Sequence, residues 1–195
     1  MSLIYIILAV VAVIVLWAIM AYNNFVRLIQ QTKEAWADID VQLKRRYDLI
    51  PNLIETVKGY AAHERETFDA VTSARAKATQ MHVDASGITA ETLQAMAGAE
   101  AGLTQALGKL LAVAEAYPDL KANTNFLELQ RELSDTENKI QAARRFYNGN
   151  VRDLKISLQS FPSNVIGNVF NFTEEVYFEL PEDSVERQPV KVSFN

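Results

Sequence analysis

The hydrophobic pattern of the chain opens with an uninterrupted apolar run, Leu3 to Ala21, which contains no charged residue, proline or glycine. As a helix rising about 1.5 Å per residue, the run spans roughly 28 Å, close to the thickness of the hydrocarbon core of a bilayer. Aromatic residues lie near both ends, where amphipathic rings favour the headgroup region. The pattern predicts a transmembrane anchor over residues 1–25, marked by Leu3, Tyr5, Trp17 and Tyr22.

The flanks of the run favour an uncleaved anchor over a cleaved signal peptide. The run is longer than the roughly 15 residues of a signal-peptide core, no basic segment precedes it, and no A-x-A motif separates it from the polar flank. Arg27 and Lys33 follow the run, whereas only Met1 and Ser2 precede it. The positive-inside rule therefore predicts that the N-terminus lies outside and that the helical body is cytoplasmic.

After the anchor, apolar residues recur every seven positions, which is typical of a helix that buries one face and not of a strand. From Ala21 to about Thr79 only Pro51 and Gly59 interrupt the pattern. We therefore expect one long helix over this range. The positions that share its buried stripe are Trp36, Leu43, Ile50 and Val57.

Pro51 is expected to kink this helix without breaking it. Proline removes the hydrogen bond to the carbonyl of Tyr47, at a cost of about 3 kcal/mol inside a straight helix. The apolar stripe nevertheless stays in phase on both sides of the proline, which favours a kink within one helix. Arg45, Arg46 and Pro51 therefore form a predicted joint, in which an arginine either satisfies the freed carbonyls or meets a neighbouring subunit.

Arg46 differs from its basic neighbours because it falls in file with Ile39 and Leu53, at the border of the buried stripe. A guanidinium that leaves water needs an acidic partner. Glu137 lies beside the apolar stripe of a later helix and is the predicted partner.

A second helix is expected from an N-cap at Thr89 to Tyr117, rich in small residues. Its Gly98 and Gly102 form a GxxxG pattern, and each glycine costs a helix about 1 kcal/mol relative to alanine. We interpret the pair as a site of tight packing between helices. A dimer contact inside the membrane is disfavoured because Glu100 lies between the two glycines.

The third helix has the clearest repeat, and Pro162 ends it. A sustained interval of seven predicts left-handed, coiled-coil-like packing. The fold class is therefore all-α: a transmembrane helix continues into a long antiparallel three-helix bundle over residues 26–162, followed by an irregular aromatic segment and an acidic tail over residues 163–195. The stripe of the third helix comprises Phe126, Leu133, Ile140, Tyr147, Leu154 and Phe161.

Composition narrows the function classes further. The chain of 195 residues has no cysteine, two histidines and a net charge of -5, which argues against thiolate chemistry, a His-rich metal site and a nucleic-acid surface. His63 and Glu64 resemble the start of an HExxH zinc motif, but position 67 is Thr and the second ligand is missing. We expect no catalytic residue, no cofactor and no metal, and hence no enzyme.

Three stretches resemble the LemA family: "EAWADIDVQLKRRYDLIPNLIETVKGYAAHE", "YPDLKANTNFLELQRELSDTENKIQAARRFYN" and "SFPSNVIG". Together with the anchor, the resemblance covers nearly the whole chain. It implies a bacterial, single-pass inner-membrane protein with a soluble antiparallel helical bundle. It implies no reaction, because no catalytic residue or cofactor of the family is available to carry over.

These features favour a non-enzymatic, membrane-anchored scaffold that acts through protein–protein contacts and self-associates. An adaptor or regulator of another membrane protein, such as a protease or kinase, is one alternative. The other is a membrane-shaping protein that binds anionic lipid through Lys44, Arg45 and Arg46. A straight helix from Ala21 to Arg45 would be about 36 Å long, several Debye lengths at physiological salt, which disfavours that alternative.

Overall fold

In a computed structural model of the chain, which describes residues 2–85 and 87–179, every regular element is a helix. The predicted all-α class with a long N-terminal apolar helix is confirmed. The predicted acidic tail lies mostly in residues 180–195, outside the described part. The helices are α1 (Ser2–Lys58), α2 (Arg65–Gln80), α3 (Ala90–Glu115), α4 (Pro118–Lys121), α5 (Thr124–Gln159) and α6 (Ser163–Val169).

The described residues form two compact units. The anchor unit contains Met1–Asp38 and Ala143–Tyr177, and the body unit contains Ile39–Ala142 with the described residues from Phe178 onward. Helices α1 and α5 each contribute residues to both units. The antiparallel three-helix arrangement and its boundaries stay predictions.

Helix α1 runs without interruption through Pro51, as expected, but it ends at Lys58 and does not continue to Thr79. The amides of Tyr60 and Ala61 both donate to the carbonyl of Val57, at 3.0 and 2.9 Å, which tightens the last turn. Glycine at position 59 favours this break because its backbone loses more conformational freedom in a helix than any other residue. The expected single helix is therefore two helices, α1 and α2.

Helix α3 begins where the sequence predicts, at Thr89. The Thr89 hydroxyl accepts from the amide of Thr92 at 3.1 Å, and the Thr92 hydroxyl accepts from the amide of Thr89 at 2.8 Å. This reciprocal capping box satisfies two donors that the first turn of a helix leaves unpaired.

The expectation that Gly98 and Gly102 mark tight helix packing is wrong within the described part of the chain. Both glycines are exposed, and a Cβ added at either position would meet no atom within 4 Å. The face that α3 buries combines leucines such as Leu93 and Leu103 with alanines such as Ala97 and Ala106.

The segment between α3 and α5 contains the single-turn helix α4. Asn123 then accepts a hydrogen bond from the amide of Phe126 at 3.0 Å through its side chain, which satisfies a donor in the first turn of α5. At the other end α5 stops at Gln159. Phe161 therefore lies beyond the helix and is 83% exposed, so it does not belong to the buried stripe.

The segment after Pro162 was expected to be irregular throughout, but it begins with α6. The helix ends in a Schellman motif: the amide of Phe172 donates to the carbonyl of Gly167 at 3.0 Å, and that of Asn171 to Asn168 at 3.3 Å. Asn171 has φ 54°, the left-handed conformation that this motif requires and that asparagine tolerates. Beyond α6 the described residues are irregular, as expected.

The core of the anchor unit joins α1, α5 and α6. Phe25 and Leu28 of α1 pack with Leu154 of α5 and Ile166 of α6. The ring of Phe172 stacks on Phe25 at a centroid distance of 5.0 Å. The Schellman turn therefore returns the chain to α1 after α6.

Polar contacts continue this packing along α1 and α5. The buried Asn150 amide donates to the carbonyl of Gln31 at 3.0 Å, and the ring of Trp36 meets that of Tyr147 edge-on at 5.4 Å. The partners advance on α1 as they recede on α5, so the two helices run in opposite directions within the anchor unit. Tyr147 also donates its hydroxyl to the carbonyl of Val176 at 2.9 Å.

Candidate functional site

The most unusual feature of the body unit is a buried arginine. Helix α1 places Arg46 in file with Ile39 and Leu53, and all three are buried, Arg46 to 2% exposure. Taking a guanidinium out of water costs several kcal/mol unless carboxylates pair with it and satisfy its donors. The surroundings of Arg46 are therefore the natural place to look for a site.

Two carboxylates from two other helices meet Arg46. Its Nη1 donates to Oε2 of Glu137 on α5 at 2.6 Å, and its Nη2 forms an ion pair with Glu100 on α3. The predicted pairing with Glu137 is confirmed. Glu100 is itself buried, whereas the Glu137 side chain is 35% exposed. One arginine thus ties α1, α3 and α5 together.

Tyr47 completes this arrangement by donating its hydroxyl to Oε1 of Glu100. Burial raises the pKa of the Tyr47 phenol, the charge of Arg46 opposes that rise, and Asp40 adds to it. The phenol therefore stays protonated as a hydrogen-bond donor at neutral pH. We call Arg46, Tyr47, Glu100 and Glu137 the Arg46 cluster.

The carbonyl of Tyr47 has a second role next to Pro51. Proline has no amide hydrogen to give to the carbonyl four residues earlier, so this carbonyl lacks its helical partner. The Nε of Arg75 on α2 donates to it at 2.7 Å. The expectation that Arg45 or Arg46 would satisfy the freed carbonyl is wrong, because Arg46 is committed to its glutamates and Arg75 of another helix takes that role.

A groove opens beside the Arg46 cluster between α3 and α5. Its volume is about 370 Å³. Leu107, Gly108 and Leu111 line one wall, Leu133 lines the other, and Arg46 and Glu137 lie at the base. Formally, two carboxylates face one guanidinium in the cluster, which leaves one excess negative charge. The groove therefore offers a mainly apolar surface beside the paired charges of Arg46 and Glu137.

The three consecutive basic residues at positions 44–46 form no positive patch. Lys44 and Arg45 border a shallow depression together with Asp40 and Asp48, so the charges of this surface balance. Asp40 also lies 3.4 Å from Nδ1 of His82. Arg45 is exposed, and its charge adds to the lowering of the pKa of Asp135, which a hydrogen bond from Lys139 dominates.

The predicted anchor residues lie on an uncovered helix. An 18-residue window of α1 has a mean hydropathy of 3.1, and none of it is buried inside the protein. Leu3 and Tyr5 are exposed, whereas Trp17 is half-buried and the ring of Tyr22 meets that of Phe170 at 4.8 Å. By length and composition this helix can cross a membrane, and it indicates that the protein is membrane-associated.

The predicted stripe residues occupy buried positions within their own units, apart from Phe161. Their burial does not test whether any of them meets another copy, so an intersubunit role stays a prediction. Buried stripe residues are Trp36, Leu43, Ile50, Val57, Phe126, Leu133, Ile140, Tyr147 and Leu154.

Sequence reasoning missed Glu100 as a partner of Arg46. The only signal was one carboxylate in the middle of a stretch of mostly small and apolar residues, "AMAGAEAGLTQAL". Its neighbours along the chain are alanines and glycines, so the pattern does not reveal which face of α3 is buried.

Taken together, these features define a membrane-associated, all-helical protein. Across residues 2–85 and 87–179, no group of histidine and carboxylate side chains is arranged to hold a metal ion. The site is a buried charge cluster beside an apolar groove, an arrangement that suits binding.

The sequence pattern of the LemA family matches residues 35–194, and the chain belongs to this family. Magnetosome protein MamQ 2 and magnetosome protein MamQ 1 of Paramagnetospirillum magneticum are each 26% identical over 178 residues, 83% of this chain and 65% of the relative. Protein LemA of Metamycoplasma hominis is 26% identical over 171 residues, 88% of this chain and 74% of the relative. The chain thus spans less than two thirds of the length of the two MamQ relatives.

Replacing Arg46 by methionine tests the cluster. Arg46→Met keeps the volume of the stem but leaves Glu100 buried without its counter-charge, so we expect the free energy of unfolding to fall by about 3–5 kcal/mol. Urea denaturation of the full chain in detergent micelles, followed by far-ultraviolet circular dichroism, measures it. Adding Glu100→Leu removes the stranded charge and recovers part of the loss.

The neighbouring Arg45→Met is the matched control, because Arg45 is exposed on the same helix. Its effect should stay within about 0.5 kcal/mol. Equal losses for Arg45→Met and Arg46→Met would contradict the assignment.

The contact of Arg75 with Tyr47 predicts coupling to Pro51. In the unaltered chain, Arg75→Met should cost about 1.5–3 kcal/mol, because the Tyr47 carbonyl loses its hydrogen bond from a charged donor. With Pro51→Ala, the restored amide at position 51 satisfies that carbonyl, so the cost of Arg75→Met should fall. A double-mutant cycle by urea denaturation measures the coupling, expected at about 1 kcal/mol or more.

Lys77→Met is the control for this cycle, since Lys77 is exposed on the same helix. It should give the same effect with proline or alanine at position 51. An additive cycle for Arg75 would show that the contact does not compensate for the proline.

Proposed function

We propose that this chain is a non-enzymatic, membrane-anchored helical scaffold that works through protein–protein contacts, including contacts with its own copies. The observation that carries the proposal is the uncovered apolar part of α1, which continues without a break into helical body structure. A helix built in this way ties a folded body to a bilayer.

The chemistry of the body supports binding more than catalysis. The members of the Arg46 cluster are committed to one another: Arg46 pairs with both glutamates, and Tyr47 donates to Glu100. Its one tyrosine is held protonated by burial. The names of the MamQ and LemA relatives describe no reaction either.

The groove between α3 and α5 supplies a plausible surface for a contact. Its leucine walls offer apolar area, and the excess carboxylate of the Arg46 cluster attracts a cation. An amphipathic helix with a lysine or arginine among apolar residues has the matching chemistry. Helices of this kind are present in the chain itself, which makes a second copy a reasonable occupant.

For localisation we propose the bacterial inner membrane, with a single pass and the helical body in the cytoplasm. The support is Arg27 and Lys33, which follow the apolar run within the range over which cations set orientation. The N-terminus would then lie on the outer side.

An adaptor or regulator of another membrane protein, such as a protease or kinase, is the second candidate. The same groove favours it, since an occupant helix can come from a different protein. An anionic-lipid-binding role for residues 44–46 has less support, because Arg46 is buried and Asp40 and Asp48 offset the two exposed cations.

Filling the groove tests the proposal. Gly108 lines it, is exposed, and has no atom within 4 Å of an added Cβ. Gly108→Gln should therefore obstruct the groove without disturbing the fold. We expect the unaltered full chain to form particles heavier than one copy in detergent by mass photometry, and Gly108→Gln to shift them toward the single-copy mass.

Gly98→Gln is the matched control, because Gly98 is an equally open position on the same helix but outside the groove lining. It should leave the mass distribution unchanged. A single-copy mass for the unaltered chain at every concentration contradicts self-association. If that chain instead co-purifies with one stoichiometric partner, and Gly108→Gln releases it, the adaptor is the function.

A further inference from the structure

The anchor unit exposes a group of apolar side chains that its own packing does not explain. Phe161 is 83% exposed, Val169 66%, Phe170 53% and Val165 49%. All four lie in α6 or at its ends, within residues 160–173, a stretch without a single charged residue. Exposed apolar groups concentrated in one short segment mark a surface that is covered by something else.

The contacts of α6 locate this surface along α1. Ile166 packs in the core with Phe25, Trp17 and Ala21 pack against that core, and the ring of Phe170 meets Tyr22. Residues 161–170 therefore lie beside residues 17–25 of α1. That is the part of α1 where the uncovered apolar run ends.

The rise per residue of α1 gives the depth of Tyr22 and Phe170 in the bilayer. The middle of the run from Leu3 to Ala21 is Ala12. Tyr22 is about 15 Å further along the helix, which is half the thickness of a hydrocarbon core of about 30 Å. If the run is centred in the bilayer, Tyr22 and Phe170 lie at the boundary between acyl chains and headgroups, the layer in which aromatic rings are enriched.

Charged residues begin on the far side of this boundary. Arg27 is exposed on α1. Lys155 lies 3.6 Å from Glu174, and its amine sits 4.6 Å from the centre of the Tyr177 ring. Along the axis of α1, the apolar run is followed by a band of apolar and aromatic side chains and then by charged residues. This order matches the change in polarity across a bilayer interface.

We propose that α6 and its ends, residues 161–170, form a second membrane contact that lies in the interfacial layer of the lipid. The inference rests on the proposed membrane anchor, because α1 sets the depth of α6. The Schellman turn at Asn171 directs Phe172 inward onto Phe25 and leaves Phe170 largely exposed. The segment thus holds the anchor unit to the bilayer at two points.

The absence of cysteine in the chain permits a direct test with single labels. Val169→Cys carries an environment-sensitive fluorophore in the full chain, reconstituted in phosphatidylcholine vesicles with or without bromine on the acyl chains. Bromine quenches fluorophores that contact lipid. We expect a loss of fluorescence at position 169 that is greater with bromine near the headgroup than with bromine near the chain end.

Two further single labels serve as controls. Val11→Cys lies in the apolar run and should be quenched more strongly by deep bromine. Phe146→Cys replaces another exposed aromatic residue of the anchor unit. Leu158 of α5 packs against the core that contains Ile166 of α6, and Phe146 precedes Leu158 by about 18 Å of helix. It should keep its fluorescence in every vesicle.

The outcomes separate this inference from the proposed anchor. Quenching at position 11 with none at position 169 overturns the interfacial contact and leaves the anchor intact. No quenching at position 11 overturns the anchor and with it this inference. The fluorescence at position 169 could instead be unaffected by bromine but change with protein concentration. That result overturns the lipid assignment and shows that another copy covers α6.

Discussion

Among the described residues, no other part of the chain buries the most apolar stretch of α1, and the proposed function depends on this exposed area. Fully burying one large aliphatic side chain is worth about 1.5–3 kcal/mol, and the run presents Leu3, Ile4, Ile6, Ile7 and their neighbours to the surroundings. In a bilayer, all of these side chains leave water, and the run gains this free energy of burial. The backbone of a helix needs no water, because its hydrogen bonds are satisfied internally. The exposed apolar side chains and the internally hydrogen-bonded backbone together support the proposed anchor.

Within the body unit, the Arg46 cluster contributes more to specificity than to net stability. Replacing a buried ion pair by apolar residues is often neutral, whereas removing one partner is costly. The network therefore penalises arrangements in which Arg46 faces anything other than Glu100 and Glu137. Its members come from α1, α3 and α5, so the cluster joins three helices of the body unit beside the groove.

Features that depend on one helix at a time could be predicted from the sequence. The apolar run and the cap at Thr89 follow from spacing and residue type. Most features that depend on a second element could not be predicted; the pairing of Arg46 with Glu137 is an exception, because both charges border an apolar stripe. The hydrogen bond from Arg75 satisfies the carbonyl that Pro51 leaves without its helical donor, and nothing near Pro51 in the sequence reveals that donor. The small residues of α3 likewise conceal its buried face, which is why Glu100 was missed and the packing role of Gly98 was misassigned.

Whether lipid covers α1 is the central claim, and alkaline carbonate extraction of membranes from cells that produce the full chain tests it most directly. Carbonate strips proteins held by charge or by other proteins but leaves those embedded in the acyl layer. The account predicts that the chain stays in the membrane pellet with residues 3–21 intact by mass spectrometry, and that deleting this run releases the protein. Release of the intact chain into the supernatant would contradict it.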